Sequence, residues 1–166
     1  MYTQGQKKII GESIKIIAEL GIDSLTIKRI ADRLGVTDAA IYKHFASKEE
    51  ILEGIVHKIE KIFYSEFEEV LRSTESSIDI LKMVFLKHCE IVDKNSYNVI
   101  IFNSFLYFKK NEKINNYINE IFDSFKYSVD EIIKNGQRKG EIRNDVDNEV
   151  IFWTVIGVLN FYIIKW

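Results

Sequence analysis

Apolar residues recur at three- and four-residue steps along most of the chain, the spacing of a single stripe on an α-helix. Ile10, Ile14, Ile17 and Ala18 form the first stripe, from about Gln4 to Leu20. Thr3 and Gln6 fit a capping box ahead of it, and Gly21 a stop behind it. Thr26 opens a short helix carrying Ile27, Ile30, Ala31 and Leu34, which ends at Gly35. Thr37 opens another, through His44, with Ile41 and Phe45 four residues apart and the opposite face polar. Two brief helices joined by a tight turn containing glycine make a helix-turn-helix unit. Ala31 is small enough for the second helix to approach, Gly35 tolerates the positive φ of the turn, and Val36, Ile41 and Phe45 are expected to fill the small core between them.

Ser47 and Glu50 form a second capping box, in which the Glu50 carboxylate is expected to return to the Ser47 amide. The helix it starts continues through Ile51, Ile55, Ile59 and Phe67 to about Leu71, roughly 24 residues and ~36 Å, a strut between head and body. After the polar stretch 73–77, three further helices are predicted: Ile78 to Asp93, Tyr97 to Phe108, and Ile114 to about Lys134, the last weakened by Asn135-Gly136 and Lys139-Gly140. A polar connection, 141–147, leads to the segment Glu149 to Trp166, which is apolar on every face. A helix of that kind is covered all round, here by its own core on one side and a partner subunit on the other. As a membrane span it is too short: Val150 to Ile164, with Thr154 and Asn160 inside, falls below the ~20 residues a bilayer asks for. The pattern is that of an all-α chain of about eight helices, with a three-helix head over residues 1–47 and a helical bundle over 48–166.

Composition narrows the function. The net charge of −2 is not that of a strongly basic, non-specific nucleic-acid binder. Between Leu25 and Lys48, however, Lys28, Arg29, Arg33, Lys43 and Lys48 stand against Asp32 and Asp38, a local balance of +3. The single cysteine, Cys89, forms no intramolecular disulfide, and no leader pattern opens the chain, so a cytoplasmic location is expected. Eleven Phe, eight Tyr and two Trp fall mostly after residue 60; they fit either a bulky core or the lining of an apolar cavity. His88-Cys89-Glu90 has no second cluster to complete a metal site, and His57 reads as a surface position on the strut. No Gly-rich phosphate loop and no nucleophile paired with a base is present, so neither an enzyme nor a cofactor is expected.

The run from Thr26 to Val36, followed by Asp38 to Phe45 and Ser47 to Leu52, resembles the TetR family of transcriptional regulators. Ile41-Tyr42-Lys43-His44-Phe45, two residues, then Lys48-Glu49 is the most specific part, and the motif-level likeness covers roughly residues 9 to 55. The resemblance implies double-stranded DNA as partner, with the helix from Thr37 to His44 in the major groove and Asp38, Ala39 and Lys43 nearest the base edges. Ala39 is then placed to touch a thymine methyl and Lys43 to donate to guanine. Thr26, Thr37, Tyr42, His44 and Lys48 look like phosphate contacts, although the two threonines are N-caps in any case and Tyr42 is also a candidate for the core.

The same resemblance implies a homodimer on a pseudo-palindromic operator, released by a small apolar effector bound in the body. Phe85, His88, Phe102, Phe105, Tyr117, Phe122, Phe125 and Trp153 are the expected lining, chosen because they carry rings on body helices. The family's dimer usually uses two C-terminal helices per subunit, whereas the sequence stops at Trp166 inside the first of them, so the usual last helix is expected to be absent. The rival reading is a helical interaction or small-molecule-binding protein that does not read DNA.

Overall fold

A computed structural model describes residues 2–72, 76–94 and 111–165; within these, the side chains of Phe63, Glu66, Glu69, 91–94, Asn160 and 162–165 are not described. The predicted helix from Tyr97 to Phe108 lies outside the described residues. Every regular element among the described residues is helical: α1 Gln4–Leu20, a 3-10 turn Ile22–Ser24, α2 Ile27–Leu34, α3 Asp38–Tyr42, α4 Lys48–Leu71, α5 Ser77–Lys94, α6 Glu112–Arg138 and α7 Asn148–Lys165.

The head helices start where side chains satisfy their first amides. Thr3 and Gln6 make the reciprocal box at α1. Thr26 accepts from the Arg29 amide, Thr37 from the Ala40 amide and Ser47 from the Glu50 amide. The Glu50 carboxylate accepts from the Ala46 amide at 2.5 Å, one residue earlier than the expected Ser47 amide. α2 ends in a Schellman turn: Gly35 has φ 65°, its amide reaches the Asp32 carbonyl, and the Val36 amide reaches that of Ala31. That turn swings Val36 outward, 44% exposed, so the expected third core residue is on the surface while Ile41 and Phe45 are buried. α3 is shorter than the predicted Thr37–His44 helix; Lys43 and His44 form a turn after Tyr42.

Two hydrophobic cores follow. The first joins Ile10, Ile14, Ile30, Ala31, Ile41 and Phe45 to Ile51, Leu52 and Ile55 of α4, and is closed by Ile114 and Ile118 from the start of α6. The second gathers Phe67 and Val70 of α4, Ile80 and Val84 of α5, Phe125, Val129 and Ile133 of α6, and Phe152, Ile156 and Leu159 of α7. Among the described residues, only α4 and α6 contribute buried side chains to both. They are the longest helices, 24 and 27 residues or ~36 and ~40 Å, and they tie head to body.

α6 does not stop near Lys134 as predicted but runs through Asn135-Gly136 to Arg138. Gly136 is buried because the far end of the body closes over it. A Cβ there would stand 2.7 Å from Ile142 Cδ1 and 2.8 Å from Ser77 Cβ. The polar connection has a structural task at the same place: the Glu141 carboxylate accepts from the Ser77 amide at 2.6 Å, and Gln137 donates to the carbonyls of Arg143 and Val146.

Along α7, Phe152, Ile156 and Leu159 are buried while Val150, Trp153, Val158 and Phe161 stand exposed on the opposite face. Among the described residues no helix is long and apolar enough to cross a membrane.

Candidate nucleic-acid interface and effector cavity

α3 is built to present side chains. Ile41 and Phe45 are 1% exposed and fix the helix to the head core, so the residues between and before them face solvent. Asp38, Ala39, Tyr42, Lys43 and His44 are all exposed on this one edge, with Thr37 exposed at its N-cap. Tyr42 is 54% exposed, which takes it out of the core. Thr26 is exposed at the N-cap of α2, and Lys48 is half-buried in the first turn of α4. Every residue expected at a DNA contact is thus at least partly accessible.

The basic residues divide into two groups. The Arg33 guanidinium bonds to Glu19 at 2.6 Å and Glu12 at 3.4 Å, bracing α2 against α1 and holding the Glu19 carboxyl below its ordinary range. Arg29 donates to the Ser24 carbonyl at 2.7 Å. Lys28, Lys43 and Lys48 make no ion pair among the described residues, and with Arg29, whose partner is a neutral carbonyl, they carry the local positive field.

The eight ring residues expected around an effector do not form one cluster among the described residues. Phe102 and Phe105 lie outside those residues. Phe125 is buried in the body core, edge-on to Phe67 at 5.8 Å, and the His88 ring lies 6.5 Å from Phe67. His88 is itself buried, and burial lowers its pKa to about 4, so the imidazole is neutral near pH 7. Phe85, on α5, packs against that core. Phe122 stacks on Trp153 at 6.0 Å, on the side where Lys126 lies over the Trp153 and Phe152 rings. Tyr117 is at the head end of the bundle. Its hydroxyl donates to the Glu60 carboxylate and lies 2.8 Å from His57 Nδ1, and both burial and Glu60 raise its pKa. With Lys113 bonded to Glu53 at 2.7 Å, these contacts fasten the start of α6 to α4.

Further along the same pair of helices lies a groove of about 470 Å³, within the range of small-molecule sites. Tyr64, Phe67, Leu71 and Phe125 give it apolar walls, and Glu68, Arg72, Ser124 and Ser128 complete the lining. Of these only Phe125 is among the ring residues singled out in the sequence. The signal for the others is the spacing 64, 67 and 71, which puts one face of the strut toward α6.

Residues 9–55 match the model of the bacterial regulatory proteins of the tetR family, and residues 55–166 match that of the YsiA-like protein C-terminal region. The fatty acid metabolism regulator protein of Bacillus subtilis is 26% identical over 159 residues, covering 96% of this chain and 81% of its own. The structure of the transcriptional regulator FadR from Bacillus subtilis in complex with stearoyl-CoA superposes with a TM-score of 0.79 at 25% identity, covering 96% of this chain and 86% of that one. The ketosteroid transcriptional regulator KstR2 of Mycobacterium tuberculosis shares the fold at a TM-score of 0.87 and 18% identity, over 100% of this chain and 85% of that one.

Proposed function

This chain belongs to the tetR family of bacterial regulatory proteins and is a DNA-binding transcriptional regulator, and from that premise we propose that it is a repressor whose homodimer grips a pseudo-palindromic operator and lets go when a long-chain acyl thioester of coenzyme A occupies its body. The observation that carries the DNA half is the exposed edge of α3, Asp38 to His44, held over the buried pair Ile41 and Phe45. In this reading Asp38, Ala39 and Lys43 meet base edges, while Thr26, Thr37, Tyr42, His44 and Lys48 meet phosphates. A head of this size reads only a few base pairs, and two heads on one molecule supply the missing discrimination. Such a protein works where the chromosome is, in the cytoplasm.

The effector half is supported by the likeness to the Bacillus subtilis regulators and by the apolar groove between α4 and α6. Of the ring residues expected around an effector, Phe125 lines that groove, and His88 stands beside Phe67, another of its lining residues. The effector shifts the equilibrium only by its differential affinity for the two spacings of the heads, typically worth ~1–3 kcal/mol.

Selection and sequencing of random duplex DNA bound by the purified chain, at two salt concentrations, tests the proposal. The expected result is an enriched inverted repeat whose binding falls steeply with salt and is reversed by stearoyl-CoA. No enrichment by a folded protein refutes the DNA reading in favour of a helical binding protein. Enrichment that stearoyl-CoA leaves untouched refutes the effector class alone.

A further inference from the structure

We propose that the first turn of α1 is a positioning device for the DNA interface, in which Gly5 seats the His44 imidazole and Gln6 ties down the His44 backbone. This rests on the reading of His44 as a phosphate contact. α3 ends at Tyr42, so Lys43 and His44 occupy a turn, held on its own side by the Lys43 amide donating to the Ala39 carbonyl and by the His44 and Phe45 amides donating to the Ile41 carbonyl. The rest of the restraint comes from 38 residues earlier: Gln6 Nε2 donates to the His44 carbonyl at 3.1 Å. The Gln6 amide is fixed at its other end too, because Oε1 accepts from the Thr3 amide at 3.0 Å. The neighbouring Phe45 is buried, with the Tyr2 ring 6.3 Å away.

The imidazole itself lies against the backbone of Gly5. A Cβ at position 5 would stand 2.5 Å from Cε1, 2.7 Å from Nε2 and 3.2 Å from Nδ1 of His44, closer than side-chain atoms pack. Only a residue without a Cβ lets the ring rest there. His44 is nonetheless exposed, so its ring can swing away if the seat is filled. Gly5 therefore acts on the aim of the ring rather than on the stability of the head. A ring held in place before DNA arrives has already lost the freedom that binding would otherwise have to remove.

The two effects of Gly5→Ala have opposite sign, which makes the device testable. Alanine favours the helix over glycine, so the melting temperature is expected to hold or rise. Affinity for DNA is expected to fall about two- to tenfold, the ordering cost of one side chain. The probe is a fluorescein-labelled 30-base-pair duplex of random sequence, because phosphate contacts are indifferent to sequence. Gly5→Ala, His44→Ala and the double variant are compared at fixed salt, with Gln6→Met as a second way to loosen the turn. The expected result is that both single changes and Gln6→Met weaken binding, while Gly5→Ala adds nothing once His44 is alanine. Full affinity for Gly5→Ala, additive losses in the double variant, or a drop in melting temperature that accounts for the weaker binding would each overturn the device and leave the DNA reading of His44 intact. Wild-type affinity for His44→Ala would remove that reading, and the device with it.

Discussion

His88 sits on α5 with 6% of its surface exposed, and burial depresses its pKa to about 4. The unfolded chain, with an imidazole near 6.5, takes up a proton first as the pH falls, so the folded state loses stability between pH 6.5 and pH 4 and levels off below. At 1.36 kcal/mol per unit the loss is about 3 kcal/mol, a large part of a domain's margin. Urea unfolding at pH 7 and pH 4.5 reads it directly. His88→Leu is expected to flatten the dependence, and an equally steep one in that variant would assign the acid sensitivity to other groups. Single residues were also where sequence pattern was least informative. The 3.6-residue period marked Ile41 and Phe45 correctly as buried, but it has no term for the Schellman turn that points Val36 outward. A ring on a body helix suggests an effector contact for Tyr117, but its hydroxyl, bonded to Glu60 and near His57, holds it against α4.

Helices were legible where their ends are written locally. The caps at Thr3, Thr26, Thr37 and Ser47 and the stop at Gly21 mark boundaries that the structure keeps, and the strut has the expected end at Leu71. α6 shows why the rest was not. Asn135-Gly136 reads as a helix end, yet Gly136 is helical because Ser77 and Ile142, 59 residues before and 6 after, press on it. Likewise the periodicity of Ile114 and Ile118 announces a buried stripe without revealing that it closes the core of the head. From propensity alone Gly136→Ala should stabilise α6 by up to ~1 kcal/mol. With Cβ contacts of 2.7 and 2.8 Å the structure predicts the reverse, a loss of about 1–3 kcal/mol from overpacking, checked by denaturant midpoint. A more stable Gly136→Ala protein would mean that the connection 139–147 yields without cost.

At the scale of the molecule, the two cores share α4 and α6, so a movement of either helix in the body is carried into the residues that hold α3. In the proposed homodimer such coupling acts on DNA through a second head at a fixed distance, and α7 offers a surface for it. Val150, Trp153, Val158 and Phe161 are 49–68% exposed on one face, flanking Thr154, whose hydroxyl is already bonded to the Val150 carbonyl, and Gly157, around which nothing stands within 4 Å of a Cβ position. That leaves an apolar face with a low centre, a shape that lets a second helix approach closely. Roughly a few hundred Å² are on offer from its side chains, against the ~800 Å² per partner of a standard interface, so in the proposed homodimer α7 would supply the centre of the contact and its neighbours the rim. Charging the face with Val158→Arg and Phe161→Asp is expected to convert the proposed dimer to monomer in light scattering at micromolar concentration. The two cores, which neither residue enters, should keep their melting temperature. Operator affinity should fall by orders of magnitude, since each head then binds its half-site without the effective concentration that linkage to the other provides, while weak binding to random duplex persists. A dimer that survives both charges would place the two-fold axis elsewhere, and an operator affinity that survives the loss of the dimer would make the single head sufficient.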